Sequence, residues 1–405
     1  MKKILALLLV LAMALSLVAC GAKTEEKAPE AAAPAETASE YKVAMVTDYG
    51  DITDQSFNQT TWEACIKFGE DNGIEYKYYK PTTNDTAGRV AMVELAIAEG
   101  NNVIVLPGFA FGATIYEVQD VYPDVKFIAL DVSEFDVFDC FYNHDEAGNW
   151  TTLIDENNQP HVSANVYCAV YQEELSGYMA GYAAVKLGYK KLGFLGGMAV
   201  PAVQRFGHGF VQGADAAAKE LGINIAMNYV YGGQFFGSAD ITAVMDTWYQ
   251  NGTEVVFACG GGIFTSAVDA AVKVDGAKVI GVDVDQAGVI AGYAGQADKS
   301  LTITSAMKGL YPTTVDTLTD VIVNGNWEKY AGKVATLGLV SGTDPEANYV
   351  QIPMESTQWS ASFSQDDYKA LVKGMFDGTI KVSADTAALP AVSNTTITEF
   401  AQIVG

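Results

Sequence analysis

From Tyr41 onward, the chain is punctuated by short apolar runs that are rich in β-branched residues. Polar residues hardly interrupt these runs, as is typical of parallel strands that are covered on both faces of a sheet. Six runs have this character: YKVAMV, NNVIVLPG, VKFIALD, KKLGFLGG, EVVFACGG and AKVIGVD. The pattern therefore predicts buried parallel strands distributed along most of the chain.

Between these runs, apolar residues recur at helical spacing. The four clearest stripes are Phe57, Thr61, Ala64, Cys65 and Phe68; Val90, Val93, Ala96 and Ile97; Leu175, Tyr178, Met179 and Tyr182; and Val203, Phe206, Phe210, Ala214 and Ala217. Gly73, Gly100 and Gly222 stand where three of these helices should end. Two more helical patterns, SAMKGLYPTTVDTLTDVIV and QDDYKALVKGMF, are predicted further along the chain.

The alternation of strand and helix runs twice, which predicts an α/β protein with two doubly wound parallel-sheet lobes joined by a hinge. A length of 405 residues also favours two cores over one. We expect residues 41–165 and about 285–325 in the N-terminal lobe, and residues 166–284 and about 326–385 in the C-terminal lobe. Residues 386–405 form a predicted C-terminal tail, and a polar insert spans about 135–163.

The first 20 residues have the pattern of a secretion signal. Lys2 and Lys3 precede an apolar run that is marginally short for a transmembrane helix. The run ends in Leu17-Val18-Ala19-Cys20, which resembles the bacterial lipobox. We therefore expect residues 1–20 to be a lipoprotein signal peptide, with Cys20 as the lipidated residue. A plain signal peptide with an incidental cysteine is the alternative.

Residues 21–40 follow as GAKTEEKAPEAAAPAETASE, a segment with no aromatic residue. Such a composition cannot form a core and predicts a disordered tether that spans roughly 25 Å. A globular domain anchored by a lipid needs a spacer of this kind. The expected location is the extracytoplasmic face of the bacterial cell membrane.

The net charge of −25 opposes binding to nucleic acid and to anionic lipid headgroups. Arg89 and Arg205 are the only arginines of the sequence. Because arginine forks commonly bind phosphate and carboxylate groups, their scarcity favours an uncharged ligand. A helix N-terminus could still bind an anion without arginine.

Cysteine and histidine give no sign of a metal site or a catalytic site. Cys65, Cys140, Cys168 and Cys259 are scattered without metal-ligand spacing, so buried free thiols are favoured, although disulfide pairing stays open. Three histidines without an HExxH motif make a histidine-built metal or hydrolase site improbable. We assign no cofactor, no metal and no catalytic residue.

Polar and glycine-rich segments follow the predicted strands. In open parallel sheets, ligands bind beyond the carboxyl ends of the strands. The six strand ends are followed by TDYGDITDQSFNQ, PGFAFG, Asp131, GGMAVPAVQRF, GGGIF and DVDQ. Each segment alone is common turn chemistry, and Asp54 and Ser56 would also suit the start of a helix. Together the six segments predict one shared cleft.

The stretch TDYGDITDQSFNQ, taken with LPGFAFG, YPDVKFIALD, EELSGYMAGYAA, GGMAVPAVQRFGHGF, VIGVDVDQ and TSAMK, resembles the basic membrane protein (BMP) family. These are lipid-anchored substrate-binding proteins of ABC transporters and include purine nucleoside receptors. The resemblance covers about residues 41–330 and extends more loosely to about 382. It implies a periplasmic-binding protein type I fold, a nucleoside ligand, a permease partner and a monomeric state.

The resemblance also implies contacts to the base. Phe57 and Phe206 match the family's two aromatic rings that sandwich the base, one from each lobe. Asn58 and Asp131 match polar contacts to the ligand. Two rings can clamp a flat purine, and each adds about 0.5–1.5 kcal/mol beyond the area that it buries.

For the sugar, the resemblance implies Asp283 and Lys308 as ribose contacts. A carboxylate facing a ribose diol can accept two hydrogen bonds, and Lys308 would neutralise Asp283 when the cleft closes. Asp48 and Asp54 belong to the same family motif. Thr53 departs from the family's usual aspartate. The long insert and GGGIFTS depart as well, and all three leave the ligand preference open.

Three alternatives stay open at this point. A sugar receptor of the same fold would also use stacking rings with Asp and Asn. A nucleoside hydrolase could use Asp48, Asp54, Asp283 and Asp285 as acid and base or as Ca²⁺ ligands. A signalling or adhesion lipoprotein would carry a cleft that binds nothing.

Overall fold

The protein's structure, a computed structural model, describes residues 40–48, 50–139, 142–144, 150–152 and 159–404. The predicted signal peptide, the predicted lipidation site Cys20 and almost all of the predicted tether lie outside the described residues, as does Cys140. In the described part of the chain, no helix has the length and apolar character needed to span a bilayer.

Fifteen strands and eleven α-helices are described. The strands are β1 (Lys42–Val46), β2 (Glu75–Tyr79), β3 (Val103–Pro107), β4 (Lys126–Leu130), β5 (Tyr142–His144), β6 (Trp150–Thr152), β7 (Val166–Tyr171), β8 (Lys191–Gly196), β9 (Ile225–Tyr231), β10 (Val255–Cys259), β11 (Lys278–Asp283), β12 (Thr302–Lys308), β13 (Lys333–Leu337), β14 (Val350–Gln351) and β15 (Thr395–Glu399). The helices are α1 (Phe57–Asn72), α2 (Thr86–Ala98), α3 (Phe111–Val118), α4 (Glu134–Phe138), α5 (Glu173–Lys186), α6 (Pro201–Leu221), α7 (Ala239–Gln250), α8 (Phe264–Ala271), α9 (Ala287–Tyr293), α10 (Leu310–Leu318) and α11 (Gln365–Phe376).

The strands form two large sheets. The first has the order β13–β7–β4–β3–β1–β2 and is parallel throughout. The second has the order β14–β12–β11–β10–β8–β9–β15 and is parallel except where β14 pairs with β12. Strands β5 and β6 make a separate antiparallel hairpin within the predicted insert. The predicted α/β fold with two parallel-sheet lobes is confirmed.

Each sheet has an apolar core on both of its faces. In β1, for example, Ala44 and Val46 join the core on one face, whereas Val43 and Met45 join the core on the other. The second sheet is covered in the same way. This double burial explains why the strands are continuous apolar runs, because a strand with one solvated face would alternate instead.

The chain crosses between the sheets three times, after β7, β12 and β13. Backbone hydrogen bonds join the crossing segments to one another. Gln172 N donates to Leu337 O at 2.9 Å, Tyr349 N donates to Gly338 O at 3.1 Å, and Gly309 N donates to Tyr349 O at 2.7 Å. The three crossings therefore form one hydrogen-bonded strip, which is the hinge between the lobes.

The strand memberships correct the predicted lobe boundaries. Strands β7 and β13 belong to the first sheet, although residues 166–284 and 326–385 were assigned to the C-terminal lobe. Strand β12 belongs to the second sheet, although residues 285–325 were assigned to the N-terminal lobe. The predicted helix that began at Ser305 in fact starts at Leu310, because a short buried apolar run does not distinguish strand from helix.

The predicted C-terminal tail contains a strand of the second sheet. Residues 395–399 form β15, which pairs in parallel with β9 and makes one edge of the second sheet. Its sequence, TTITE, is rich in β-branched residues that favour strands, but it has only one apolar residue and so lacks the apolar run of the buried strands.

Helices α5 and α6 pack closely, because glycines line their contact. A Cβ atom placed on Gly209 would lie 2.1 Å from the carbonyl oxygen of Glu174, and one on Gly213 would lie 2.0 Å from that of Tyr178. Real Cβ atoms do not approach backbone this closely. The glycines thus set the spacing between α5 and α6, and the first turns of α6 carry cavity residues.

We expect Gly213→Ala to lower the free energy of unfolding by at least about 1–3 kcal/mol, because the added methyl group must push α5 and α6 apart. Denaturant unfolding followed by circular dichroism would measure the change. Gly292→Ala in α9 is the matched control, because a Cβ there meets no atom within 4 Å. That substitution should stabilise the protein by about 0.5–1 kcal/mol. Equal effects of the two would contradict the packing argument.

Candidate functional site

The carboxyl ends of strands from both sheets surround one cavity of about 360 Å³. The first sheet contributes residues that follow β1, β3 and β4, and the second contributes residues that follow β8, β9, β10 and β11, with Lys308 from the end of β12. All eight predicted site residues line this cavity: Asp48, Asp54, Phe57, Asn58, Asp131, Phe206, Asp283 and Lys308. A volume of this size falls in the range of small-molecule sites.

The turn after β1 is organised by Asp54. Its carboxylate accepts hydrogen bonds from the backbone N–H groups of Ser56 at 3.0 Å, Asn58 at 2.9 Å and Gln59 at 3.1 Å. These bonds satisfy the first N–H groups of α1, so Asp54 performs the capping role that was the alternative reading of the motif. Burial raises the pKa of Asp54, and the three backbone bonds oppose that rise.

The two polar atoms of the Asn58 side chain differ in their hydrogen bonding. Its Nδ2 donates to Asp48 Oδ1 at 3.0 Å and to Asp54 Oδ2 at 3.1 Å. Its Oδ1 is buried and accepts no hydrogen bond. Buried polar atoms are normally paired, so this oxygen is suited to accept a hydrogen bond from a ligand in the cavity.

Two hydrogen bonds join the turn after β1 to the end of β11 in the other sheet. Ser56 Oγ donates to Asp283 Oδ2 at 2.6 Å, and Gln286 Nε2 donates to Gln55 O at 3.1 Å. The lobes are therefore in direct polar contact beside the cavity. We call these two bonds the interlobe latch.

Asp131 and Asp283 occupy corresponding places in the two sheets, at the ends of β4 and β11. Both have left-handed backbone angles, with φ of 59° and 65°. Such angles are uncommon outside glycine and cost of order 1–3 kcal/mol, although aspartate tolerates them better than most residues. The conformation turns each carboxylate into the cavity wall, and Asp131 Oδ1 is buried without a hydrogen-bond partner.

Lys308 lies among three carboxylates. Its ammonium group forms an ion pair with Asp131 and lies 3.5 Å from Glu173 Oε1 and 3.7 Å from Asp283 Oδ1. Its side chain is 3% exposed. Burial by itself would lower the pKa of Lys308, but Asp131, Asp283 and Glu173 outweigh burial and raise it. The expected pairing with Asp283 is thus present, but Asp131 is the nearer partner.

Lys308 also lies close to two aromatic rings of the cavity wall. Its Nζ lies 4.8 Å from the ring centre of Phe57 and 5.6 Å from that of Phe206. The two predicted rings pack against different cores, yet both lie close to the same atom and line the same cavity. Cation–π attraction at such distances holds the ammonium group against the rings.

Arg205 lines the cavity and pairs with the buried Glu173, and sequence reasoning assigned neither residue to the site. Arg205 Nε donates to Glu173 Oε2 at 2.6 Å, and the Glu173 side chain is fully buried. Burial raises the pKa of Glu173 to about 7, against the opposing effect of Arg205 and Lys308. The available signal was the pair of glutamates that opens EELSGYMAGYAA, at the start of a helix with a strong apolar stripe.

Further aromatic residues also line the cavity beyond the predicted pair. Phe206 is only 1% exposed and packs edge-on against Phe257, with ring centres 6.1 Å apart. Phe235 and Phe236 follow β9 and line the same cavity, and Phe236 is 63% exposed. Phe109, from the PGFAFG segment, lines it as well. The segment GGQFFG was the overlooked signal, since β9 itself was not predicted.

The cavity wall is rich in carboxylates. Six aspartates line it, against three cationic side chains: Asp48, Asp51, Asp54, Asp131, Asp136 and Asp283, against Lys80, Arg205 and Lys308. Each cation already has a carboxylate partner, in Asp51, Glu173 and Asp131 respectively. The wall therefore disfavours an anionic ligand and suits a neutral one with hydroxyl and amide groups.

Among the described residues, no cluster of three or more histidine, cysteine or carboxylate side chains could hold a metal ion. Cys65, Cys168 and Cys259 are buried free thiols, as predicted. Burial raises the pKa of Cys65 to about 12, so this thiol is unreactive.

Comparison with known proteins gives a consistent picture. The profile of the Bmp family, described as ABC transporter substrate-binding protein PnrA-like, matches residues 41–358. The ABC transporter nucleoside-binding protein BmpA of Lactococcus lactis is 26% identical over 75% of this chain and 80% of its own length. Basic membrane protein B of Borreliella afzelii is 26% identical over the same shares. The crystal structure of an ABC transporter solute-binding protein from Aeropyrum pernix superposes with a TM-score of 0.62 at 19% identity, covering 84% of this chain and 87% of that one.

We expect Lys308→Met to lower the free energy of unfolding by about 3–5 kcal/mol, because it leaves three buried carboxylates beside one another without their shared cation. Lys80→Met is the matched control. Lys80 lines the same cavity, but its side chain is 53% exposed, so its loss should cost less than about 1 kcal/mol. Chemical denaturation at neutral pH would measure both, and similar losses would contradict a central role for Lys308.

The raised pKa of Glu173 predicts a pH dependence of stability. Between its ordinary value of 4.5 and about 7, the folded protein keeps a proton that the unfolded chain has released. Stability therefore falls as pH rises through this window, since the folded state binds more protons there. Glu173→Gln cannot titrate, so its free energy of unfolding should depend less steeply on pH. Urea unfolding across the window would show the difference, and parallel curves would rule the assignment out.

Proposed function

This chain belongs to the PnrA-like (Bmp) family of ABC transporter substrate-binding proteins, and we propose that the ligand it binds is a nucleoside, with a purine as the expected base. As a substrate-binding protein, it binds a small ligand and works with a transporter permease, and it is not an enzyme. The proposal concerns the identity of the ligand, the residues that contact it and the attachment of the protein to the membrane.

One observation carries the proposal: a single cavity is lined both by aromatic rings and by hydrogen-bonding carboxylates beside a buried lysine. Lys308 adjoins both groups, since its Nζ lies 4.8 Å from the ring centre of Phe57 and 5.6 Å from that of Phe206 and forms an ion pair with Asp131. A nucleoside likewise combines a flat ring with a hydroxyl-bearing sugar. The name of the Lactococcus relative, which specifies nucleoside binding, supports the same ligand class.

The base would lie against Phe57, whose ring lines the cavity on the first lobe. Phe206, Phe235 and Phe236 line the cavity from the second lobe. Ring stacking is worth about 0.5–1.5 kcal/mol beyond the area buried. The Asn58 Oδ1 atom, which has no hydrogen-bond partner in the protein, would accept from the base edge.

For the sugar, Asp131 and Asp283 would accept hydrogen bonds from the ribose hydroxyls. Asp131 Oδ1 is buried without a partner, so a hydroxyl donor would satisfy it. Lys308 lies near both carboxylates, so its positive charge balances part of their negative charge in the cavity wall. Charge-assisted hydrogen bonds of this kind are about twice as strong as neutral ones.

Closure would follow from contacts that exist only when the lobes meet. The interlobe latch, Ser56 to Asp283 and Gln286 to Gln55, joins residues of opposite lobes next to the proposed ribose site. A ligand that contacts both lobes stabilises the closed state relative to the open one. The closed protein would then be the form that the permease recognises.

Attachment to the membrane is a further part of the proposal. We place the protein on the extracytoplasmic face of the bacterial membrane, as a monomer anchored through lipidated Cys20. The support is the lipobox-like sequence before Cys20 and the relative that is named a basic membrane protein.

We expect isothermal titration calorimetry to show binding of purine nucleosides and much weaker binding of their monophosphates, because each cation in the described cavity wall already has a carboxylate partner. Free ribose and other sugars should bind weakly, because they lack a ring to stack. Mass spectrometry of ligand released from freshly purified protein would identify the bound compound independently. Strong binding of sugars alone would replace the nucleoside with a sugar ligand.

Phe57→Ala and Phe206→Ala should each weaken nucleoside binding about tenfold or more, because each removes a ring with its buried area. Phe376→Ala is the matched control, since Phe376 is an exposed ring on α11 and does not line the cavity. Unchanged affinity in both cavity variants would contradict the proposed stacking of the base against these rings. The assignment of a nucleoside ligand would still stand if nucleosides bind.

A further inference from the structure

A segment near the C-terminus reaches the loop that carries two of the cavity's phenylalanines. We define the C-terminal segment as residues 383–404 and the cavity loop as residues 232–237, GGQFFG. The C-terminal segment does not line the cavity, and it lies beyond the family match, which ends at residue 358. The loop contributes Phe235 and Phe236 to the cavity wall.

Helix α6 holds the first half of the C-terminal segment. Gln212 exchanges two hydrogen bonds with the backbone of Ser383, both of 2.9 Å, and His208 Nδ1 lies 3.0 Å from Asp385 O. One helical turn further, Asp215 accepts from the backbone N–H of Asn394 at 2.7 Å and from Thr395 Oγ1 at 2.9 Å. The segment is thus fixed to the helix that begins at the cavity.

The second half pairs with β9 and continues past the end of that strand. After β15, Phe400 N donates to Tyr229 O at 2.9 Å, Ile403 N donates to Tyr231 O at 3.0 Å, and Val404 N donates to Gly232 O at 3.0 Å. The last of these bonds reaches the first residue of the cavity loop. The Phe400 ring also packs against Trp248, with ring centres 5.6 Å apart.

The cavity loop is held from its other side as well. Gly232 N and Gly233 N donate to the carbonyl oxygens of Gly196 and Gly197 at 2.7 and 3.0 Å. Gly233 has a φ of 86°, and a Cβ there would lie 2.1 Å from Val404 O. The loop backbone is therefore clamped between the end of β8 and the C-terminal segment, directly before Phe235.

We propose that the C-terminal segment is a positioning element of the binding site, which fixes the cavity loop and so sets where Phe235 and Phe236 stand against the ligand. Residues 403 and 404 act through the loop and do not touch the ligand. The part of this inference that concerns affinity rests on the proposed nucleoside function, whereas the part that concerns the loop does not.

The test compares Val404→Pro with Val404→Ala in the full chain. Both replace the valine side chain, but only proline removes the N–H group that donates to Gly232. Val404→Pro should speed hydrogen exchange of the amides in residues 232–237 and raise the nucleoside dissociation rate roughly fivefold, the value expected for one lost hydrogen bond. Val404→Ala should leave both close to the unsubstituted protein. The unfolding midpoint should change little in either variant, which separates positioning from a general loss of stability.

Deletion of residues 403–405 is the second variant, and it decides the matter if Val404→Pro fails to fold. It leaves β15 and the Phe400–Trp248 contact in place, so tryptophan fluorescence should stay unchanged while loop exchange accelerates. Unchanged exchange in residues 232–237, or faster exchange with unchanged dissociation, would overturn the inference. If no nucleoside binds even the unsubstituted chain, the proposed function fails, and loop exchange alone still decides whether the segment fixes the loop.

Discussion

The site depends on one buried cation shared by three carboxylates. Lys308 stands at the end of β12 and lies close to Asp131 of the first sheet and Asp283 of the second. Because buried carboxylates repel one another, the shared cation stabilises the contact of the two sheet edges, together with the interlobe latch. Glu173 and Arg205 extend the same balance of charge away from the cavity. The proposed ligand recognition and the proposed closure of the lobes would therefore depend on the same charged residues.

That arrangement also explains why a chain with so many acidic residues can build a site for a polar ligand. Each cation of the cavity wall forms an ion pair with a carboxylate. Asn58 Oδ1 and Asp131 Oδ1 are buried acceptors without a hydrogen-bond partner. A ligand must therefore bring donors, in the form of hydroxyl or amide hydrogens, and not negative charge. The low arginine content of the sequence indicated the same preference, and the structure adds that Arg205, although it lines the cavity, is paired with Glu173.

Much of the fold was predictable from the sequence, because double-sided burial produces an unmistakable apolar run. All six predicted strands are present in the structure. Several strands that were missed have other signatures: β2 is largely exposed, β9 contains Asn228, and β12 carries threonine and serine in buried positions. Strand β7, by contrast, is a buried apolar run, VYCAVY, that was not among the six predicted strands. The lobe boundaries failed for the same reason, since β7, β12 and β13 decide where the chain crosses between sheets. Local pattern does not encode which sheet a strand joins.

The site was predictable where its residues sit directly after a predicted strand, as Asp48, Asp131 and Asp283 do. It was not predictable where long-range packing supplies the residue. Glu173 lies in a helix whose apolar stripe looked like ordinary core, and Phe235 follows a strand that was not recognised. Asp54 illustrates a third case, in which one residue satisfies both readings: it caps α1 and also lines the cavity.

The hydrogen-bonded strip formed by the three crossing segments has a consequence for how such a molecule can move. Gln172, Gly309 and the backbone around Gly338 and Tyr349 are tied side by side, so no single connection can bend or twist without carrying the others. The lobes would then rotate about this strip as about a single hinge, whereas sliding and twisting of one lobe against the other would be resisted. A ligand would have to enter and leave on the side that faces away from the hinge strip. The opening motion would be close to a rotation about one axis.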